Sequence, residues 1–521
     1  MRSYVFPPMK QVARSGHTMT EHTYVGAIDQ GTTGTRFVIF DHDGQAVASA
    51  YETHEQHYPE PGWVEHDPRE LWDRTKAVVR GALDSAEIEA DQLAAIGVTN
   101  QRETTILWDA ETGEPIHNAI VWQDRRTTDR VEELEAEGMA QEIRTKTGLA
   151  VDAYFSATKI EWLLDHADNA ASPGTRERAQ AGEILFGTVD SWLVYNLTGE
   201  HVTDVTNASR TMLFDIHDLT WDDDLLGTFG IPEAMLPDVR PSSAHYGETD
   251  SDGFLGAAVP VCSALGDQQA ALFGQACFEA GDAKNTYGTG SFLLLNTGQQ
   301  AVESDHGLLT TVGFQRAGEP VQYALEGSMF VTGAAVEWLV DLGLVENAAE
   351  TAELALSTDS TDDVYFVPAF AGLGAPYWDG RARGTIVGMT RGTRREHLVR
   401  AVLESIAYRT RDVVEAMEAD SGVEITRLLV DGGVVENDAL CQIQADVLCR
   451  SIVRPTVTET TALGAAYAAG LATGYWEDLD EIRDNRQVEQ TFESEIAVQS
   501  ASNRYERWTE AVERSRDWAR E

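Results

Sequence analysis

Short apolar runs alternate with longer amphipathic stretches along this chain. Val25–Ile28, Phe37–Phe40 and Ala95–Val98 are apolar runs of strand length, whereas 68–85 and 124–142 read as helices. The second half repeats the theme, with strands expected at Ala324–Leu325, Val364–Val367 and Leu428–Val430. A long helix is expected over 395–419, where Leu398, Val402, Ile406, Val413 and Met417 keep one face. The stretch 462–475 is mainly Ala and Gly and predicts a buried helix, because small side chains let elements approach closely. Such alternation predicts α/β architecture. No apolar run reaches the roughly eighteen residues of a membrane-spanning helix, so no membrane span is expected.

The pattern also echoes itself. The strand ending at Ile28 runs into Asp29-Gln30-Gly31-Thr32-Thr33, and Tyr287-Gly288-Thr289-Gly290-Ser291 leads into the apolar run Phe292–Leu295. Two Gly-Thr turns, each in its own α/β half, predict two related lobes with a nucleotide between them. The length of 521 residues fits two or more domains at about 150 residues each. The division falls near Val261–Gly274, and 23–264 and 265–521 are taken as the two lobes. Residues 1–22 read as an N-terminal extension, either disordered or preceding a true start at Met19: the first eighteen carry Arg2, Lys10 and Arg14 but no acidic residue and no signal-peptide core.

Charge changes the picture of the surroundings more than of the fold. With 86 acidic against 39 basic residues the net charge is −47, and only five of the basic residues are lysines. Self-repulsion at that density opposes compactness in dilute buffer. At about 1 M salt the Debye length falls to roughly 3 Å and the repulsion is screened. A halophilic cytoplasm is therefore preferred over an acidic partner-binding surface. Nucleic-acid binding is not expected, since no basic stripe exists to neutralise phosphates. Cys262, Cys277, Cys441 and Cys449 show neither zinc spacing nor a disulfide framework, in keeping with a reducing compartment.

Three glycine turns carry candidate chemistry. In Gly31-Thr32-Thr33-Gly34-Thr35-Arg36 the glycines let successive N–H groups face a phosphate, the threonines and Arg36 add donors, and Asp29 could hold Mg²⁺ through water. Lys284–Ser291 is a second phosphate turn, and Asp431-Gly432-Gly433 ends a strand where adenosine could approach closely. Each alone is equally an ordinary hairpin. Three in this order, in two α/β halves, form the pattern of actin-like ATP-binding folds, and no Walker A sequence is present. Arg102 and Glu103 follow the strand Ala95–Val98, where α/β proteins place ligand loops, and with Tyr154 they could exchange hydrogen bonds with a small polyol, although taken alone the pair reads first as a surface salt bridge. Asp267, after the apolar run Val259–Leu265, could serve as base for an attacking hydroxyl or merely cap a helix.

These residues resemble the FGGY family of carbohydrate kinases, and within it the kinases of glycerol, from about Met19 to at least Trp476. DQGTT, PGWVEHDP, TNQRETT, NAIVWQ, FGTVDSWL, TNASRTMLF, GDQQAALFGQ, KNTYGTG, PAFAGLGAPYWD and TALGAAY carry the likeness. The resemblance implies two actin-like (ribonuclease H-like) lobes with a nucleotide and substrate cleft between them, ATP and Mg²⁺ as cofactors, and glycerol as substrate. It implies that Arg102, Glu103, Tyr154, Asp267 and Gln268 hold glycerol, with Asp267 as catalytic base and Trp122 and Phe292 as an apolar wall. Thr32, Thr33, Gly34, Arg36 and Thr289 would meet the phosphates, Gly333, Glu337, Gly433 and Asn437 the rest of the nucleotide, and Asp29 and Asp267 the Mg²⁺. A cytoplasmic homodimer or homotetramer is the family expectation. Gly34 and Glu337 stand where Ser and Gln are usual in relatives, so position 34 offers only its backbone. The loop 249–260 lacks the Arg of a fructose bisphosphate site. A kinase of xylulose or gluconate would want a smaller wall than Trp122, and an actin-like scaffold would leave Arg102, Glu103, Tyr154 and Asp267 without a purpose.

Overall fold

The computed structural model describes residues 23–167 and 174–520, so the extension 1–22 lies outside the described residues. Two sheets organise the molecule, and they repeat one topology. In the first, Tyr24–Gln30, Gly34–Phe40 and Ala46–Thr53 form an antiparallel meander. Leu93–Asn100 joins Tyr24–Gln30 in parallel, Pro260–Gly266 joins Leu93–Asn100 in parallel, and Ser243–Glu248 closes that edge antiparallel. In the second, Ala283–Tyr287, Ser291–Gly298 and Gln322–Met329 form the meander. Arg427–Asp431 and Ser451–Pro455 follow in parallel, and Val488–Phe492 closes antiparallel. Leu309–Phe314 extends the meander by one strand. The two Gly-Thr turns are the first hairpin of each sheet, so the echo in the sequence is a repeated topology.

Helix Pro68–Ala86 shows why the amphipathic stretches fold as they do. Asp67 caps it by accepting from the Arg69 N–H at 2.9 Å, Pro68 opens it, and Leu71, Val78, Val79, Ala82 and Leu83 bury one stripe against the meander. The stretch 124–142 departs from expectation. It forms two helices, Thr128–Ala136 and Ala140–Thr147, because Gly138 adopts φ +81°, a left-handed conformation that ends the first. Helix Arg395–Ser421 forms as expected but is buried beyond the single stripe: Ala401, Ser405, Tyr408 and Asp412 are buried too, while Leu398 is only half-buried. Val364–Val367 becomes Tyr365–Val367, paired with Thr385–Val387 outside the main sheets.

The Ala-Gly stretch forms Thr460–Thr473, buried on nearly every side. It crosses the short helix Asp267–Gly274 so closely that a Cβ on Gly464 would lie 1.8 Å from the Ala270 carbonyl oxygen. It also lies on the first sheet, where a Cβ on Gly97 would meet the Ala465 carbonyl oxygen at 2.2 Å. This helix, late in sequence, therefore shares one core with Val25, Ala27, Val38 and Leu265 of the first half. Cys262, Cys277, Cys441 and Cys449 are all free thiols.

Candidate active site between the lobes

A cleft of about 360 Å³ opens between the two halves. Its lining includes Asp29, Gly31, Thr33, Gly34 and Arg36 from the first hairpin, Tyr51 from the next strand, and Gly432, Gly433, Glu436 and Glu459 from the second half. The turn is closed by the Gly31 N–H donating to the Gly34 carbonyl at 3.0 Å. Gly432 has φ +89°, and a Cβ there would lie 2.3 Å from the Tyr287 carbonyl oxygen, so only glycine fits. Next to it Gly433 is exposed, with open space where its Cβ would be, and leaves the backbone bare to a ligand. Arg36 pairs with Glu459 across the cleft.

The remaining nucleotide candidates stand beside this cleft and outside its lining. Thr289 lies on the turn of the second hairpin, and its carbonyl accepts from the Thr332 N–H at 2.9 Å. Gly333 packs on that turn, where a Cβ would meet the Gly288 carbonyl oxygen at 2.7 Å. Glu337 is exposed on helix Gly333–Asp341. The Asn437 side chain caps helix Asp438–Leu448, accepting from the Leu440 N–H at 3.1 Å and donating to Thr351 Oγ1 at 2.9 Å.

Deeper in, Arg102 and Glu103 end the strand Leu93–Asn100 and are almost wholly buried. Glu103 has φ +61°, a conformation costly for a non-glycine residue and concentrated at functional sites. Both belong to a network missed in the sequence. Glu326, from the second sheet, accepts from Arg102 at 2.6 and 2.9 Å and from Arg210 at 3.2 Å, and Arg210 donates to Glu103 at 2.6 Å. Burial opposes ionisation of Glu326, but the two guanidinium groups outweigh it and hold the carboxyl at about 2. Gln269, also missed, accepts from Arg102 at 3.1 Å. Gln268, an expected glycerol contact, accepts from Lys284 Nζ at 2.6 Å. Burial pulls that ammonium down to about 8, against the charges of Asp431 and Asp267.

Asp267 opens helix Asp267–Gly274 behind Gly266, which must be glycine because a Cβ would lie 2.6 Å from Arg102 Cδ. The Asp267 carboxylate stands 3.2 Å from Arg102 Nε and accepts from its neighbour Gln268 N–H at 2.7 Å. Burial raises its pKa, while Arg102 pulls the other way. Asp29, paired with Arg36 across the hairpin, is pushed up to about 7 by burial, against Arg36 and with help from Glu459 and Asp267. Trp122 ties the regions together: its indole N–H donates to Thr32 Oγ1 at 2.9 Å and its ring meets Tyr154 edge-on at 5.5 Å. Lys159 holds the loop bearing Tyr154 by donating to the carbonyls of Ala153, Tyr154 and Phe155 at 2.6, 2.6 and 3.0 Å. Phe292 is half-buried, and its carbonyl lies 3.4 Å from Lys284 Nζ.

Two family descriptions match. The N-terminal domain of the FGGY family of carbohydrate kinases covers residues 24–274 and its C-terminal domain covers 283–473. A glycerol kinase of Haloferax volcanii is 69% identical over 96% of the chain and 100% of its own length. One from Halobacterium salinarum is 68% identical over 96% and 99%. Among solved structures, a Plasmodium falciparum glycerol kinase with ADP superposes with a TM-score of 0.89 at 37% identity, covering 94% of this chain and 98% of that one.

Proposed function

The chain belongs to the FGGY family of carbohydrate kinases, and on that premise we propose that it transfers the γ-phosphoryl group of ATP to a terminal hydroxyl of glycerol, giving sn-glycerol 3-phosphate and ADP. The observation that carries the reading is the buried Arg102–Glu326–Arg210–Glu103 network with Asp267 at its rim and the phosphate turn one indole away. Its groups are locked by one another before substrate arrives, so a small polyol meets donors and acceptors already in place. Arg102, Glu103 and Tyr154 bind the hydroxyls and distinguish the two ends of glycerol, and Trp122 and Phe292 pack against its carbons.

Asp267 accepts a hydrogen bond from the reacting hydroxyl and takes its proton. The hydroxyl oxygen forms a bond to the γ-phosphorus as the bond to the bridging oxygen of ADP breaks. In a loose transition state that proton leaves late, so Asp267 acts first by orientation. Thr32, Thr33, Gly34, Arg36 and Thr289 hold the phosphates, and Gly333, Glu337, Gly433 and Asn437 the nucleoside side. Among the described residues no cluster of three or more metal-ligating side chains exists. Mg²⁺ keeps several waters and needs only one or two carboxylates beside phosphate oxygens. Asp29, whose carboxyl burial pushes up to about 7 against Arg36, and Asp267 would hold it, where it would neutralise phosphate charge. We place the lobe division near Val261–Gly274 and the enzyme in the cytoplasm as a homodimer or homotetramer.

The test is ATP-dependent turnover of glycerol, xylulose and gluconate in KCl at about 2 M, chosen for strong screening. Glycerol should be preferred by orders of magnitude, and faster turnover of either sugar would overturn the substrate. Replacing Asp267 with Ala should reduce kcat by about 10²- to 10⁴-fold while ATP still binds. Unchanged turnover in that variant would remove Asp267 from the chemistry.

A further inference from the structure

Tyr51 is the aromatic side chain in the lining of the nucleotide cleft, and it is 49% exposed there. It lies on strand Ala46–Thr53 directly opposite Arg36, whose guanidinium sits 5.4 Å from its ring centroid. Its hydroxyl is 3.5 Å from Thr33 Oγ1. The same hydroxyl lies 2.5 Å from where a Cβ on Gly34 would be, and the Glu52 carbonyl oxygen blocks that spot from 2.6 Å. A side chain at position 34 would therefore require Tyr51 and the neighbouring strand to shift, and in this chain the Tyr51 hydroxyl occupies the space one would fill.

The lining is otherwise unfavourable to an anion. Asp29, Glu436 and Glu459 present carboxylates, and Arg36 is already paired with Glu459. Neutral donors, backbone N–H groups and hydroxyls, must then do much of the work of receiving a polyphosphate. Resting on the nucleotide reading above, we propose that Tyr51 is a nucleotide-binding residue whose phenolic O–H donates to a β- or γ-phosphate oxygen, in place of a side chain at position 34. Its ring also backs Arg36, so that this guanidinium can turn from Glu459 to the phosphates.

Calorimetric binding of ATP, ADP and AMP to the full-length enzyme tests this, using Tyr51→Phe, which keeps the ring, and Tyr51→Ala. Loss of one hydrogen bond to a charged group should weaken ATP or ADP binding by about tenfold in Tyr51→Phe. AMP binding and the KM for glycerol should stay at their original values. Tyr51→Ala should lose more, because the support of Arg36 goes as well. ATP and ADP binding unchanged in Tyr51→Phe would overturn the proposal, as would an equal loss for AMP, which would mark a contact to the nucleoside. If the original enzyme binds no nucleotide, the nucleotide reading falls first and Tyr51 with it.

Discussion

Glu326 organises the site through the two arginines it pairs with. It is wholly buried on the second sheet and is the counter-charge shared by Arg102 and Arg210 of the first half. Breaking a buried pair by removing one partner costs about 3–5 kcal/mol, because the orphaned charge stays buried. Glu326→Gln should therefore lower the melting temperature and raise the KM for glycerol more than the KM for ATP; equal changes in both would contradict the positioning role. The acid limb of stability tests the same residue. Its folded-state value of about 2 lies below the ordinary 4.5. Ionised Glu326 thus stabilises the fold above about pH 4.5, and that contribution is lost as pH falls toward 2. Acid unfolding of Glu326→Gln should lack this component, and an acid limb as steep as that of the original protein would refute the assignment. Arg102, Glu103 and Asp267 were conspicuous as charged residues at the ends of apolar strands, but alone they read as well as a surface pair and a helix cap, and the family resemblance gave them their roles. Arg210 and Glu326 were not: they lie 107 residues from Glu103 and 224 from Arg102 in the chain, and no local pattern joins them.

Between elements, the crossing of Thr460–Thr473 over Asp267–Gly274 sets where Asp267 stands. Gly464 meets both the Ala270 carbonyl oxygen at 1.8 Å and the Gly274 nitrogen at 2.8 Å from an added Cβ, so the helices touch backbone to backbone. Gly464→Ala has no room and must push the short helix away. Overpacking of this kind costs about 1–3 kcal/mol. Because Asp267 opens the displaced helix, kcat should fall together with stability, and loss of stability at unchanged kcat would show that the helix does not position the base. The composition of 462–475 announced a close-packed helix, and the alternation of runs announced α/β architecture. Which sheet that helix covers was not legible, since it follows the second half in sequence and packs on the first. The break at Gly138 escaped for the opposite reason: a lone glycine within a charged helical pattern gives no warning of φ +81°.

At the scale of the whole molecule, a charge of −47 acts differently on the two substrates. Glycerol is neutral, and its candidate ligands Arg102 and Glu103 are held in buried pairs with Glu326 and Arg210, which salt screens little. ATP must approach a cleft lined by Asp29, Glu436 and Glu459 with Arg36 as the cation, against the field of the entire surface. Salt also weakens the attraction of Arg36 for phosphate, but three carboxylates and the surface outweigh one guanidinium already paired with Glu459. Within the range of KCl where circular dichroism shows a folded chain, the KM for ATP should therefore fall severalfold as salt rises. The KM for glycerol should change by less than about twofold over the same range. Glu436→Gln isolates the local part of the effect, because Glu436 is exposed in the cleft lining and lies outside the glycerol network. This variant should bind ATP more tightly in low salt and show a shallower salt dependence, with its glycerol KM untouched. A glycerol KM that follows salt as steeply as that of ATP would mean that the surface charge reaches the buried network, and the separation of the two sites by burial would fail.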